Sequence, residues 1–317
     1  MTDGLPHCER METLTTPNRD RVRRFIFENQ PVRGHWVRLE DAWRELRAHA
    51  DYPPAVTELL GQAVVASVLL AATLKFRGTL TFQLQGNGVV RLLVAQCTHD
   101  FRVRAVARWD ETRTGTLSAT DTHFRELAGN DGRITVTVEA EEKALRYQGI
   151  VPLTGASLAE SLEAYFASSE QLPTRVLLAA DDSHGAGLLV QKLPEPTARE
   201  TDEVAEAWEG AERGMADLGA GGLRHERVED LLAKGFPGRD LRLFRGAPVR
   251  FECRCSHGRV SGLLRALGAE EVRDVLQEQG SVTVTCEFCH RPYRFEAADV
   301  EVLFGDSGPL EGSDSIH

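Results

Sequence analysis

Four of the chain's six cysteines fall in one short region, as Cys253-Arg-Cys255 and Cys286-Glu-Phe-Cys289, separated by residues 256–285. A divalent zinc ion takes four thiolates tetrahedrally, and a fold that brings a C-x-C and a C-x-x-C pair together supplies that geometry. The spacing predicts one metal site with Cys253, Cys255, Cys286 and Cys289 as ligands and one zinc per chain. His257 and His290 flank the pairs and are expected to face solvent, because four thiols already complete the coordination. Cys8 reads as a free thiol and Cys97 as a packed, inert one.

Other uses of these thiols compete. Cys286-Glu-Phe-Cys289-His290 also matches the C-x-x-C-H of haem attachment. That reading leaves the C-x-C pair unexplained, and no secretory signal is visible at the polar start of the chain. A thioredoxin-like site lacks its β-α context, and no acid–base constellation supports a disulfide-exchange enzyme. A constitutive zinc ribbon that binds RNA or a protein is the serious rival, with Arg254, Arg259, Arg291 and Arg294 as a local basic patch. Against it stand 48 acidic residues to 37 Lys and Arg, a net charge of -11. Phosphate contacts need clustered cations, so this balance speaks against nucleic acid and equally against an anionic membrane.

Patterning along the chain predicts an α+β fold: an N-terminal mixed sheet-and-helix domain, a helical linker and a small C-terminal four-cysteine zinc domain. Residues 1–18 read as a flexible tail and 19–193 as the N-terminal domain. Within it an element starting at Arg23 is expected to break at Pro31 and Gly34, and a helix is expected from Leu39 to Ala50. A longer, largely buried helix follows over Ala55–Leu74. Its most apolar run, Val64 to Leu74, is too short to cross a bilayer. Leu80, Phe82 and Leu84 alternate, and Val90, Leu92 and Val94 are expected to alternate on the return arm. Gly86-Asn87-Gly88 between them reads as a hairpin turn rather than a phosphate loop. Ser157-x-x-Glu160 is a capping box, and two strands flank residues 181–185.

Residues 194–246 read as an acidic helical linker. Ten acids and four arginines lie between 197 and 231. Val204, Trp208 and Ala211 share one helical face, Val228, Leu231 and Leu232 another, and the glycines from Gly219 to Gly222 break the middle. Such weak helices are stable only when docked on something. Residues 247–304 read as the zinc-binding redox-switch domain, with two helices between the cysteine pairs and the C-x-x-C in a hairpin. Residues 305–317 read as a second tail. A domain as small as 247–304 has little core and needs a staple. Structural zinc contributes roughly 10–16 kcal/mol of apparent folding free energy in small domains. Thiolates are also what oxidants attack, and disulfide formation within a pair would remove two ligands at once.

With these residues in place the chain resembles the heat-shock protein 33 family of redox-regulated holdase chaperones. The likeness runs from about Asp20 to Phe304. It is carried by Leu74-Lys-Phe with Gln83-Leu-Gln-Gly86, by Arg146-Tyr-Gln-Gly-Ile-Val151, and by Ser169-Glu-Gln-Leu-Pro-Thr-Arg175. The cysteine region completes it: Phe251-Glu-Cys-Arg-Cys-Ser256, Cys286-Glu-Phe-Cys289 and Tyr293-Arg-Phe295. The resemblance implies a protein that is inactive when reduced and zinc-bound. It implies disulfides Cys253–Cys255 and Cys286–Cys289 on oxidation, release of the metal, and loss of structure in the zinc domain and linker. Unfolding client proteins would then be held without ATP, protecting cells from oxidative stress; the lack of a Walker-type motif agrees. It also implies a cytoplasmic protein, a homodimer through the N-terminal domain when active, and no enzymatic activity.

Overall fold

The computed structural model describes residues 19–114, 124–141, 146–194 and 202–305. The tail expected at 1–18, with Cys8, lies outside them, as does all of 305–317 except Gly305.

Helix Pro54–Thr73 is the centre of the N-terminal architecture. Pro54 starts it, where a fixed φ and a missing N–H cost nothing. Fifteen of its twenty residues are buried, because a sheet lies on each side. By length and hydropathy alone this helix would suit a bilayer, but 83% of its most apolar window is enclosed by protein. The burial accounts for the composition.

The first sheet orders its strands Leu241–Leu243, Arg21–Phe27, Val32–Leu39, Gly185–Lys192 and Thr174–Ala180, all antiparallel. Val37 and Leu39 face the central helix, while Phe25, Phe27, Val32 and Trp36 belong to a second apolar layer. A sheet buried on both faces loses the alternation that marks a strand, and here two expectations fail. Val32–Leu39 is a strand that runs through Gly34, and the helix shrinks to Asp41–Arg47. Gly34 does not interrupt the strand; it makes room for the cross-strand ring of Phe25, since a Cβ at Gly34 would stand 2.1 Å from Phe25 Cζ. The short helix is capped remotely: the Asp20 carboxylate accepts from the N–H groups of Glu40, Asp41 and Ala42 at 2.9–3.0 Å.

The second sheet orders Arg250–Phe251, Arg102–Trp109, Val90–Thr98, Gly78–Gln85, Arg133–Ala140 and Arg146–Pro152. Only the Arg250–Phe251 pairing is parallel. Leu80, Phe82 and Leu84 are buried as their alternation requires, and Gly86–Gly88 turns the hairpin as expected. On the return arm the register shifts between Val90 and Leu92. A bulge reverses which residues face inward, so Leu93, Ala95 and Cys97 are buried while Leu92 and Val94 turn outward. The capping box forms with its return bond displaced by one residue: Ser157 Oγ accepts from Glu160 N at 3.1 Å, and the Glu160 carboxylate accepts from Ala156 N, just before the cap, at 2.8 Å. The helix it opens ends in a π turn over Phe166–Glu170.

The linker helices are Asp202–Asp217, Ala220–His225 and Val228–Gly235. Ala211, Met215, Leu223, Leu231, Leu232 and Phe236 are buried against the outer face of the first sheet, and Trp208 packs at the margin. This supplies the support that such helices need. The glycine-rich middle is less of a break than expected, because the short helix runs through Gly221 and Gly222. Its end is held by Arg38, a buried guanidinium that donates to the carbonyls of Leu223, at 3.1 Å, and Glu226. Beyond the linker, His257–Leu267 and Ala269–Gln279 pack with a hairpin of Val282–Thr285 and Pro292–Phe295 and with helix Ala297–Gly305. The fold is α+β, as expected.

Candidate metal centre

The four sulfurs of Cys253, Cys255, Cys286 and Cys289 lie within 4.8 Å of one another. Cys253 Sγ is 3.6 Å from Cys286 Sγ, and Cys255 Sγ is 3.4 Å from Cys289 Sγ. A tetrahedron with Zn–S bonds of about 2.3 Å has sulfurs about 3.8 Å apart. The four thiols thus lie close enough to hold one metal ion, and the donor set is the one zinc favours.

Local structure explains the convergence. Cys255 immediately precedes Ser256, whose Oγ accepts from Arg259 N at 3.3 Å and caps helix His257–Leu267. The positive end of that helix therefore faces the first pair, which favours thiolate. The second pair sits in a tight knuckle. Cys286 N donates to Arg291 O at 3.0 Å and His290 N donates to Cys286 O at 2.8 Å. His290 has φ of 50°, a left-handed position usually given to Gly or Asn. Both flanking histidines are exposed; the His257 ring lies 4.5 Å from that of Phe295.

The thiols are not equivalent. Burial raises the Cys255 thiol, but the Tyr293 hydroxyl, which donates to its sulfur at 3.0 Å, and the neighbouring sulfurs outweigh it and bring the thiol to about 7. Burial and its sulfur neighbours push Cys289 up to about 12. Four crowded sulfurs do not all carry negative charge without a cation among them. Cys97 is fully buried in the core, and burial raises its thiol far above the ordinary range. It is packed, as expected.

Little apolar core surrounds the four sulfurs. Eight buried residues make it up: Val260, Leu264, Val272, Val282, Tyr293, Phe295, Val300 and Leu303. Leu263 and Leu267, on the helix between the cysteine pairs, are 53% and 52% exposed. Sequence reasoning passed over Tyr293 as a thiol partner; its only signal was an aromatic in the strand after the knuckle. It also missed how the knuckle meets the second sheet. Phe288 lies under the Arg104 guanidinium, 4.1 Å from its ring centre, and Glu287 pairs with Arg108. Arg254, expected in a basic patch, instead donates to Thr79 Oγ1 at 2.9 Å and Gln96 Oε1 at 3.3 Å.

A sequence model described as Hsp33 protein matches residues 20–296. The chain belongs to the Hsp33 family. The 33 kDa chaperonin of Nitrosococcus oceani is 42% identical over 288 residues, covering 90% of this chain and 95% of the relative. The 33 kDa chaperonin of Methylobacillus flagellatus is 40% identical over 305 residues, covering 94% and 99%. The crystal structure of the Hsp33 homologue from Thermotoga maritima superposes with a TM-score of 0.75, covering 90% of this chain and 98% of that one at 24% identity. That likeness establishes the fold, and the family establishes a chaperone role for this Hsp33 member.

Proposed function

We propose that this Hsp33 family member is an ATP-independent holdase switched on by oxidation, with Cys253, Cys255, Cys286 and Cys289 as the ligands of one zinc. The observation that carries the reading is the gathering of four thiols beside a core of only eight buried residues. Zinc, when bound, keeps the sulfurs as thiolates and cross-links the two ends of that small domain. The remaining events belong to the chain. Cys253 pairs with Cys255 and Cys286 with Cys289, each thiolate pair passing two electrons to one peroxide, whose O–O bond breaks and which takes two protons from solvent to leave as two waters. Those pairings are carried over from the resemblance. A domain stripped of its staple has too little core to stay folded.

The linker is the second component. Its helices cover Phe25, Phe27, Val32 and Trp36 on the first sheet, and their release would uncover an apolar face for unfolding proteins. The domain limits 19–193, 194–246 and 247–304 follow this division of labour. The cytoplasm and a dimer through the N-terminal domain complete the proposal on the strength of the resemblance. The rival reading, a constitutive zinc ribbon for RNA, is disfavoured by how its basic patch is engaged: Arg254 is turned into the second sheet, Arg259 donates to Arg254 O and Arg294 pairs with Glu296. The test is aggregation of a heat-unfolded client with reduced and with peroxide-treated protein, alongside a gel shift with RNA. Protection by the oxidised form alone supports the switch; equal protection by both forms, or RNA binding that requires zinc, overturns it.

A further inference from the structure

The outward face of the second sheet is arranged in rows that cross its strands. Register places Arg104, Gln96, Thr81, Thr137 and Gln148 in one row, and Arg108, Leu92, Gln85 and Arg133 in another. Between them run Val106, Val94, Gln83, Thr135 and Ile150, of which Ile150 is 63% exposed. The face is thus cationic and rich in Gln and Thr, with Val94 and the exposed Ile150 as apolar points in its middle row, in a chain whose net charge is -11.

In the folded form a short piece of the chain itself occupies the cationic end. Phe288 lies under Arg104, Glu287 pairs with Arg108, and Glu252 accepts from Arg102 at 2.6 and 2.8 Å. Gln96 orients the site, accepting from Arg104 Nε at 2.8 Å and from Arg254 at 3.3 Å. Glu287 and Phe288 are the two residues inside the C-x-x-C knuckle, so their presentation depends on the knuckle's shape. An arginine that stacks on an aromatic ring beside one that pairs with a carboxylate is a two-point receptor for an acidic-aromatic dipeptide.

We infer that this face is a client-binding surface selective for unfolded segments carrying an acidic residue next to an aromatic one, and that Glu287-Phe288 occupies it in cis until the knuckle loses its shape. The inference rests on the holdase reading and adds a substrate class to it. The linker-covered face of the first sheet is mainly apolar, with Arg23 and Arg38 held by the linker itself; on the second sheet Arg104 and Arg108 set a charge requirement beside a ring-stacking one.

The test uses the full-length chain, reduced and peroxide-treated, and two fluorescein-labelled peptides built from Ser-Glu-Phe or Ser-Lys-Phe repeats, read by fluorescence anisotropy. The oxidised protein is expected to bind the acidic peptide about tenfold more tightly than the basic one, equivalent to about 1.4 kcal/mol. The reduced protein should bind neither appreciably. Arg104→Gln with Arg108→Gln should abolish the preference, and Arg108→Glu should invert it. Thermal melts of the reduced variants verify that they fold. Equal affinity of the oxidised protein for both peptides, or a preference unchanged in Arg108→Glu, overturns the inference. Light scattering of a heat-unfolded client in the same samples separates the two levels: lost discrimination with intact protection sinks only this surface, whereas absent protection sinks the holdase reading itself.

Discussion

Phe236→Ala is the sharpest probe of the linker as a cover. Phe236 is 3% exposed at the end of the third linker helix, with its ring 5.1 Å from that of Phe27, edge to face, and 6.1 Å from that of Phe25. Truncating a buried Phe costs about 3–5 kcal/mol. The lower figure suits a segment that can lift away rather than sustain a cavity. Three kcal/mol is roughly a hundredfold in an equilibrium constant, so the population with the linker undocked should rise by about that factor. Cleavage of a transiently opened segment tracks its open population when reclosing is fast. Limited trypsinolysis at Arg213, Arg224 and Arg227 in the reduced protein should accelerate correspondingly, with zinc retained and with some aggregation protection appearing without oxidant. If the melting temperature falls but cleavage at these arginines does not accelerate, Phe236 stabilises the domain without holding the linker, and the cover is misassigned.

Three further outcomes are expected. Gly214→Ala should loosen the linker although Ala favours an isolated helix by about 1 kcal/mol, because its Cβ would lie 1.9 Å from Gly235 O and 2.8 Å from the Phe236 ring; dye binding to exposed apolar surface, read together with circular dichroism of the isolated linker peptide, separates the two effects. Cys286→Ser should leave the reduced protein unable to retain zinc and should unfold 257–305, seen as lost helical dichroism with the N-terminal domain intact. Acid should loosen the linker by a defined route. Burial raises the Glu229 carboxyl, but backbone N–H donation and Arg23 at 2.6 Å outweigh it and leave it below its ordinary 4.5. A carboxylate lowered on folding contributes stability above its ordinary value and loses it as pH falls toward the lowered one. Linker cleavage by an acid-tolerant protease should thus be flat from pH 8 to about 5 and rise below about 4.5. Glu229→Gln at pH 7 should reproduce a small part of that rise, within about 1 kcal/mol for so exposed a pair.

Much of the site was readable because its chemistry is local. The two cysteine spacings, the pair of helices between them and the knuckle in a hairpin are all set within a few residues. The failures came where distant partners decide. Val32–Leu39 hid as a strand because both of its faces are buried, one by a central helix and one by a linker some 180 residues further on. Leu92 and Val94 misled because a bulge of one residue reverses the inward set. Leu241–Leu243 carried no sign that it would pair with Arg21–Phe27 at the sheet edge. Glu287 and Phe288 carry no local sign of a partner, and only the tertiary structure sets them on Arg108 and Arg104. The linker's dependence on docking was legible from its composition; the identity of the face beneath it was not.

The most direct measurement follows zinc and protection together in one sample. The reduced protein is titrated with peroxide while released zinc is quantified with a chromogenic chelator and hydrogen exchange is read over 202–235 and 257–279. One zinc per chain should appear as the two segments lose protection, and the central helix Pro54–Thr73 should stay protected throughout. Reduced protein that holds no zinc yet protects 257–279, or oxidised protein that protects both segments as before, would contradict the account.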